Sequence, residues 1–271
     1  MSGPDLPAPA ELRDLARDVA LEAAALVAER RLAPVEVAAT KSSEVDVVTE
    51  ADQAAERLIA ERLLAARPGD GLVGEEGAVS VSSSGVTWVV DPIDGTVNYL
   101  YDIPQYAVSI AARVGEGLDG VVAGAVVDVA KGECFTATLG GGAWLGERRL
   151  RVRDVAPMGQ RLVATGFNYE RPVRELQGRA VAALLPHVRD VRRLGSAALD
   201  LCGLAAGRLD AYVEEGLAEW DLAAGGLVAR EAGARVEVGT GAGGKMLVVA
   251  APDGGFDEFA DLVRDCGFLR E

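Results

Sequence analysis

The run Trp88-Val89-Val90-Asp91-Pro92-Ile93-Asp94-Gly95-Thr96 constrains the fold of this chain more than any other stretch. Its apolar start reads as a buried strand that delivers Asp91 to its C-terminal end. Pro92 stiffens the exit and Asp94 follows one turn later. Gly95 lets backbone approach closely, and Thr96 adds a hydroxyl beside its own N–H. Two carboxylates three residues apart, with a free carbonyl between them, can grip one or two Mg²⁺ ions through oxygen. The N–H groups of Gly95 and Thr96 suit a phosphate. A bare Asp-x-x-Asp is more often a turn with incidental carboxylates; the strand before it and the Gly-Thr after it favour a site.

Composition limits what such a site can serve. The chain has 271 residues, which at roughly 150 per domain means one large domain or two coupled halves. Apolar residues at 49% and charged residues at 25% exclude disorder as the main state. Subtracting 42 acids from 27 bases leaves −15, a sign that repels nucleic-acid phosphates and anionic lipid, so neither is an expected partner. Cys134, Cys202 and Cys266 are far apart and form no Cys-x-x-Cys pair, which argues against a disulfide framework or structural zinc and fits a reduced cytoplasm. The first residues are acidic and proline-rich, unlike a signal peptide, and no run approaches the roughly 18 apolar residues of a membrane helix. The expectation is a cytoplasmic protein.

Periodicity supplies the organisation. Leu12, Leu15, Ala16, Val19, Leu26 and Val27 recur at helical steps, and a second helix follows Thr49 with Leu58, Ile59 and Leu63 on its apolar face until Arg67-Pro68-Gly69 stops it. Strands are expected at residues 71–74, 88–90, 106–113, 121–128 and 134–137, with a turn at Gly140-Gly141-Gly142 and one more strand after it. Beyond residue 155 strands and helices alternate: strands at 162–166, 191–194, 209–213, 235–238 and 246–250, helices at 173–185, 196–206, 222–231 and 256–266. This divides the chain into an α+β half, residues 1–155, and an α/β half, residues 156–271, in one continuous unit sharing a cleft.

Other acids fall at suggestive places. Gly74-Glu75-Glu76-Gly77 ends a strand; adjacent glutamates usually mark a solvated loop, yet Glu75 placed beside Asp91 across a sheet would complete a hard-cation site. Asp221, after Trp220 at the start of a helix, is either an ordinary dipole-favoured acid or a ligand. Thr49-x-x-Asp52 reads as a capping-box variant. Lys41-Ser42-Ser43 before Val45-Asp46-Val47-Val48-Thr49 reads as a polar loop.

Together these segments resemble the inositol monophosphatase family. Lys41-Ser-Ser with Asp46 to Asp52, Gly74-Glu75-Glu76, Asp91 to Thr96, and Glu219-Trp220-Asp221 to Gly225 occur in the family's order, and Gly195 to Asp200 and Asp210 to Glu214 match two further segments. The resemblance runs from about residue 10 to 265 and is greatest to the bacterial inositol-1-monophosphatases. It implies an α-β-α-β-α layered sandwich of mixed α/β class, hydrolysis of a phosphate monoester such as myo-inositol 1-phosphate, two or three Mg²⁺ ions, Li⁺ inhibition and a homodimer.

The resemblance also implies roles. Residues matching Glu75, Asp91 and the Ile93 carbonyl hold a first Mg²⁺; those matching Asp91, Asp94 and Asp221 hold a second, and the Glu75 position supports a weaker third. Counterparts of Glu75 and Thr96, with Asp52 behind the threonine, orient the attacking water. No protein nucleophile is needed, which suits a metal pair that clamps both ends of the displacement. Inositol hydroxyls meet the residues matching Asp94, Glu214 and the Gly195-Ser196-Ala197 turn, and Gly95 and Thr96 face the phosphate. Glu215 beside Glu214 departs from some members. Lys41 approaches the metal-site loop and takes no catalytic role.

Three alternatives carry less. The haloacid-dehalogenase phosphatases use Asp-x-Asp-Gly-Thr, and Asp91 and Asp94 miss that spacing by one residue. Gly239 to Gly244 satisfies Gly-x-Gly-x-x-Gly but runs into an apolar strand, so it reads as a hairpin loop. Single His187 lies near no motif and reads as surface or structural. Within the family, fructose-1,6-bisphosphate, histidinol phosphate and 3′-phosphoadenosine 5′-phosphate are alternative substrates, and some bacterial relatives bind the transcription machinery, which leaves a regulatory role open.

Overall fold

The structure, a computed structural model, describes residues 7–33, 35, 37–40 and 47–270. The expectations for Lys41, Ser42, Ser43, Val45 and Asp46 fall outside the described residues. Helix α1 (Pro9–Arg30) starts with proline at its first position, where the missing N–H would be unpaired anyway. Strands β1 (Val37–Thr40) and β2 (Val47–Thr49), not expected from the sequence, form a short antiparallel pair. Helix α2 (Glu50–Ala66) opens on the expected capping box: the Thr49 N–H donates to Asp52 Oδ2 at 2.8 Å and the Asp52 N–H to Thr49 Oγ1 at 3.4 Å.

Eight strands follow: β3 (Gly71–Gly74), β4 (Val79–Ser80), β5 (Val86–Asp94), β6 (Ala107–Val114), β7 (Val121–Asp128), β8 (Glu133–Thr138), β9 (Gly142–Leu145) and β10 (Arg148–Arg149). They form one sheet in the order β10-β9-β8-β7-β6-β5-β3-β4, antiparallel except for the β3–β5 pair. A short helix α3 (Thr96–Leu100) leaves the end of β5. The remaining elements are β11 (Leu162–Thr165), α4 (Arg171–Leu184), β12 (Asp190–Arg192), α5 (Ala197–Ala205), β13 (Ala211–Glu215), α6 (Glu219–Glu231), β14 (Ala234–Thr240), β15 (Met246–Pro252) and α7 (Phe256–Asp265). The second sheet runs β12-β11-β13-β15-β14; β11 is parallel to β12 and β13, and β15 is antiparallel to β13 and β14.

Four apolar clusters stack these elements into five layers. Ala16, Val19 and Ala23 of α1 and Ala55, Ile59 and Leu63 of α2 pack on Trp88, Val90, Ile110 and Ala125 of the large sheet. Its other face, with Val89, Ala111, Val126 and Phe135, meets Ala198 and Cys202 of α5 and Ala224 and Leu227 of α6. Leu201, Leu204 and Ala229 of the same two helices cover Tyr212, Val236 and Val248 of the small sheet. Its far face is closed by Leu184 of α4 and Phe256, Phe259 and Val263 of α7. The result is the α-β-α-β-α sandwich.

Helices α5 and α6 are therefore buried on two sides, and small residues set their depth. A Cβ on Gly225 would lie 3.1 Å from both Cα and O of Ala198, and one on Gly124 of β7 would lie 3.1 Å from Cα of Ala224. The Gly239–Gly244 segment joins antiparallel β14 and β15, as its hairpin reading required, and His187 is exposed. Gly225→Val should wedge α6 away from α5 and lower stability by about 1–3 kcal/mol, read as a reduced urea midpoint at unchanged slope. A wild-type midpoint would show that the interface has slack.

Candidate active site

A strand alternates its side chains, so residues three apart in a regular strand face opposite ways. Strand β5 does not end at Val90 but pairs with β6 as far as Asp94. Asp91 is opposite Ser109 and Asp94 opposite Ala107, so three steps on β5 match two on β6. That bulge carries Asp91 and Asp94 to one side and tolerates Pro92 within the strand. The parallel register of β3 sets Gly74 opposite Val90, so Glu75 emerges beside Asp91, its N–H donating to the Val90 carbonyl at 3.2 Å. From the second half, the first turn of α6 brings in Asp221. Carboxylate oxygens of Asp91, Asp94 and Asp221 lie within 4.8 Å of one another. Asp221 is at once the cap of α6, accepting the Ala218 N–H at 2.7 Å, and a member of this cluster.

Backbone and hydroxyl donors hold each acid in place. Asp91 Oδ1 accepts the Ile93 N–H at 3.0 Å. Asp94 sits over the N-terminus of α5, accepting from Ser196 Oγ at 2.5 Å, the Ala198 N–H at 2.7 Å and the Ala197 N–H at 3.3 Å. Thr96 Oγ1 lies 3.0 Å from Asp52 Oδ1 and 3.0 Å from the Ile93 carbonyl, either of which can take its one proton. Asp52 Oδ2 also accepts the hydroxyl of Thr49.

Burial raises the pKa of Asp91, Asp94 and Asp221, and repulsion adds to it at Asp91 and Asp221. Asp91 is pushed well above the ordinary carboxylate value by burial, then by Glu75, Asp94 and Asp221, and Asp221 is pushed up by burial, Asp94 and Glu75. Burial raises Asp94 to about 6 against the donors from Ser196 and α5, and Asp52 to about 6 against Thr49. Glu214 rises to about 7, again chiefly by burial, although the Tyr212 hydroxyl donates to its Oε2 at 2.9 Å. A divalent cation relieves this repulsion, and a donor set made of carboxylate oxygens without Cys or His suits a hard one. The residues fit Mg²⁺.

The cluster floors a cleft of about 330 Å³. Glu75, Asp91, Ile93, Asp94, Gly95 and Thr96 line it from the first half, and Gly195, Ala197, Glu214 and Asp221 from the second. Asp52 and Ser196 are not in its wall: both are buried, one behind Thr96 and the other behind Asp94. Glu215 is turned under the β14–β15 turn, where it accepts the Lys245 N–H at 3.1 Å. Sequence reasoning passed over Arg193, Lys245 and the Phe167–Glu170 segment, which also line the cleft; a Lys245–Glu170 ion pair of 2.7 Å lies at its edge. Only the spatial closure of two sheets reveals them. A larger hollow of about 720 Å³ lies against the other face of the first turn of α6, lined by Arg113, Leu118, Leu222 and Met246. The acidic cluster does not open into it, so the chemistry belongs to the smaller cleft.

Comparison with known proteins agrees with this geometry. The sequence profile of the inositol monophosphatase family matches residues 8–260. An inositol-1-monophosphatase of Mycobacterium bovis is 49% identical over 265 residues, covering 90% of each chain. A protein of Haemophilus influenzae named Nus factor SuhB is 40% identical over 227 residues, covering 82% of this chain and 84% of its own. The solved structure of Mycobacterium tuberculosis SuhB superposes with a TM-score of 0.83 at 46% identity, covering 97% of this chain and 99% of that one. The inositol monophosphatase of Anabaena gives 0.79 at 28% identity, covering 94% and 96%.

The raised pKa values set a pH dependence. An acid whose pKa is higher folded than unfolded keeps its proton longer in the native state, so stability falls as pH rises from about 4 through the folded values. For Asp52 and Asp94 those are about 6, and for Glu214 about 7. Metal-free protein should thus melt at a higher temperature at pH 5.5 than at pH 8, and added Mg²⁺ should raise Tm more at pH 8 than at pH 5.5. Asp91→Asn should raise Tm of the metal-free protein at pH 8 and abolish the Mg²⁺ gain. Scanning calorimetry in EDTA and in Mg²⁺ tests all three; a metal-free Tm that climbs towards pH 8 would contradict the assignment.

Proposed function

The chain belongs to the inositol monophosphatase family, a family of phosphatases, and from that premise we propose that it is a Mg²⁺-dependent enzyme hydrolysing myo-inositol 1-phosphate. The observation that carries the reading is the gathering of Asp91, Asp94 and Asp221 at one point of a cleft between two sheets. These three, with Glu75 and the Ile93 carbonyl, would hold two or three Mg²⁺ ions. Bound there, the ions supply a water of lowered pKa and neutralise charge on the phosphoryl oxygens.

The protein's own part is positioning. Thr96, its proton engaged by Asp52 or the Ile93 carbonyl, turns a lone pair outward, and with Glu75 it can accept hydrogens from the attacking water and aim it at phosphorus. Gly95 lies at φ +98°, and a Cβ there would meet the Gln105 carbonyl at 2.9 Å. The bare backbone leaves the N–H groups of residues 95 and 96 to receive phosphoryl oxygens. Glu214 and the Gly195–Ala197 turn across the cleft, together with Asp94, offer acceptors for the hydroxyls of a polyol, with Tyr212 steadying Glu214. That row of acceptors suits the hydroxyls of inositol 1-phosphate.

Among the described residues no helix is long and apolar enough to cross a membrane. We extend the reading to Li⁺ inhibition and to a homodimer, which light scattering would register as twice the chain mass.

Phosphate release should be measured on inositol 1-phosphate, fructose-1,6-bisphosphate, histidinol phosphate and phosphoadenosine phosphate, each with Mg²⁺, EDTA and added Li⁺. Inositol 1-phosphate should turn over fastest with Mg²⁺, lose activity in EDTA and be inhibited by Li⁺. No turnover of any substrate by Mg²⁺-loaded protein would favour a protein-binding regulatory role. Asp91→Asn should cost at least about a hundredfold in kcat, because even an outer-shell partner is worth 10–100-fold. Glu214→Ala should raise KM for inositol 1-phosphate about tenfold, the worth of a hydrogen bond to a charged group, and raise it less for small aryl phosphates.

A further inference from the structure

Helix α2 carries a second acid one turn beyond Asp52. Glu56 is 5% exposed, and four residues along a helix place it on the same face as Asp52. Its Oε2 accepts the Glu76 N–H at 2.7 Å, and its Oε1 accepts the Ala78 N–H at 2.9 Å. Both amides belong to the turn between β3 and β4 that begins with Glu75. The same turn is closed by the Gly74 N–H on the Ala78 carbonyl at 2.8 Å and the Gly77 N–H on the Gly74 carbonyl at 3.3 Å. The carboxylate reaches these amides by passing close over Gly74. A Cβ at that position would lie 2.2 Å from Oε2 and 2.6 Å from Cδ, so a residue without a side chain is required there.

We propose that Glu56 is a positioning residue that locks the 75–78 turn so that Glu75 faces Asp91, and thereby sets the affinity of the acidic cluster for a divalent cation. Glu75 meets the sheet through its N–H on Val90, and the turn immediately after it sets the direction in which its side chain leaves the strand. Two charge-assisted hydrogen bonds from one buried carboxylate fix that turn more firmly than backbone contacts alone. One face of α2 would then support two parts of the site, Asp52 holding Thr96 and Glu56 holding the Glu75 turn. The proposal rests on the reading of Glu75 as a metal ligand. A Glu56 that merely tied the β3–β4 hairpin to α2 would affect stability and leave metal affinity alone.

The test is calorimetric titration of metal-free protein with Mg²⁺ for wild type, Glu56→Gln and Glu75→Gln, beside melting curves and the Mg²⁺ dependence of phosphate release. Glutamine presents one acceptor and an NH₂ group to two N–H donors, so it cannot make both bonds. Glu56→Gln should weaken Mg²⁺ binding about tenfold, the usual cost of losing an outer-shell partner, and raise the Mg²⁺ needed for half-maximal activity by a like factor. A lowered Tm with a wild-type isotherm would overturn the proposal. An unchanged isotherm for Glu75→Gln would overturn the reading beneath it instead. If Glu56→Gln fails to accumulate folded, Gly74→Ala carries the same test, since its methyl group displaces the carboxylate from the turn; a wild-type isotherm there counts equally against the proposal.

Discussion

Repulsion among buried carboxylates governs this structure. Asp91, Asp94 and Asp221 meet within 4.8 Å. At an effective dielectric near 20, each ionised pair at that distance costs about 3–4 kcal/mol. Three pairs approach the whole stability of a typical domain, about 5–15 kcal/mol. In the absence of a cation burial raises the pKa of all three, and this repulsion adds to the rise at Asp91 and Asp221. What keeps them together is the rigidity of the frame: a bulge in β5, the N-terminus of α5 under Asp94, and a helix cap that uses Asp221 itself.

The frame is rigid because its central layer has nowhere to move. Helices α5 and α6 are pressed between two sheets, with glycines at residues 124 and 225 removing the side chains that would hold them apart. Asp94 belongs to the large sheet but takes its donors from α5, so the cluster forms only when the two sheets and the layer between them are assembled. Metal affinity and packing of the central layer are thereby the same property viewed from two sides.

Much of this was legible in the sequence. The apolar periodicity of α1 and α2 and the strand–helix alternation after residue 155 gave most of the elements, while the five-layer sandwich and the cleft residues of the second half came with the family resemblance. The β5 bulge was not legible, because an Asp-x-x-Asp spacing contains no sign of which register the neighbouring strand will take. Glu56 was hidden for a similar reason: a glutamate inside a helix is compositionally ordinary, and only the fold brings the 75–78 turn to it. Arg193 and Lys245 reach the cleft from segments without motif. The β1–β2 pair was missed because a three- or four-residue strand beside polar loop residues has too short a period to detect.

The cleft itself poses an electrostatic problem that its acids make explicit. Among the described residues, seven of those lining it are acidic (Glu75, Asp91, Asp94, Glu170, Glu214, Glu215 and Asp221) and two are basic (Arg193 and Lys245). Lys245 is already paired with Glu170. A phosphate dianion approaching that surface meets net negative charge inside a low-dielectric cavity, where repulsion is little screened by salt. Binding of such a substrate is therefore expected to follow, or accompany, binding of cations that offset the charge of the acids around them. Substrate affinity then becomes conditional on metal occupancy, and through the raised pKa values on pH, so that one set of carboxylates links folding, cation binding and substrate capture.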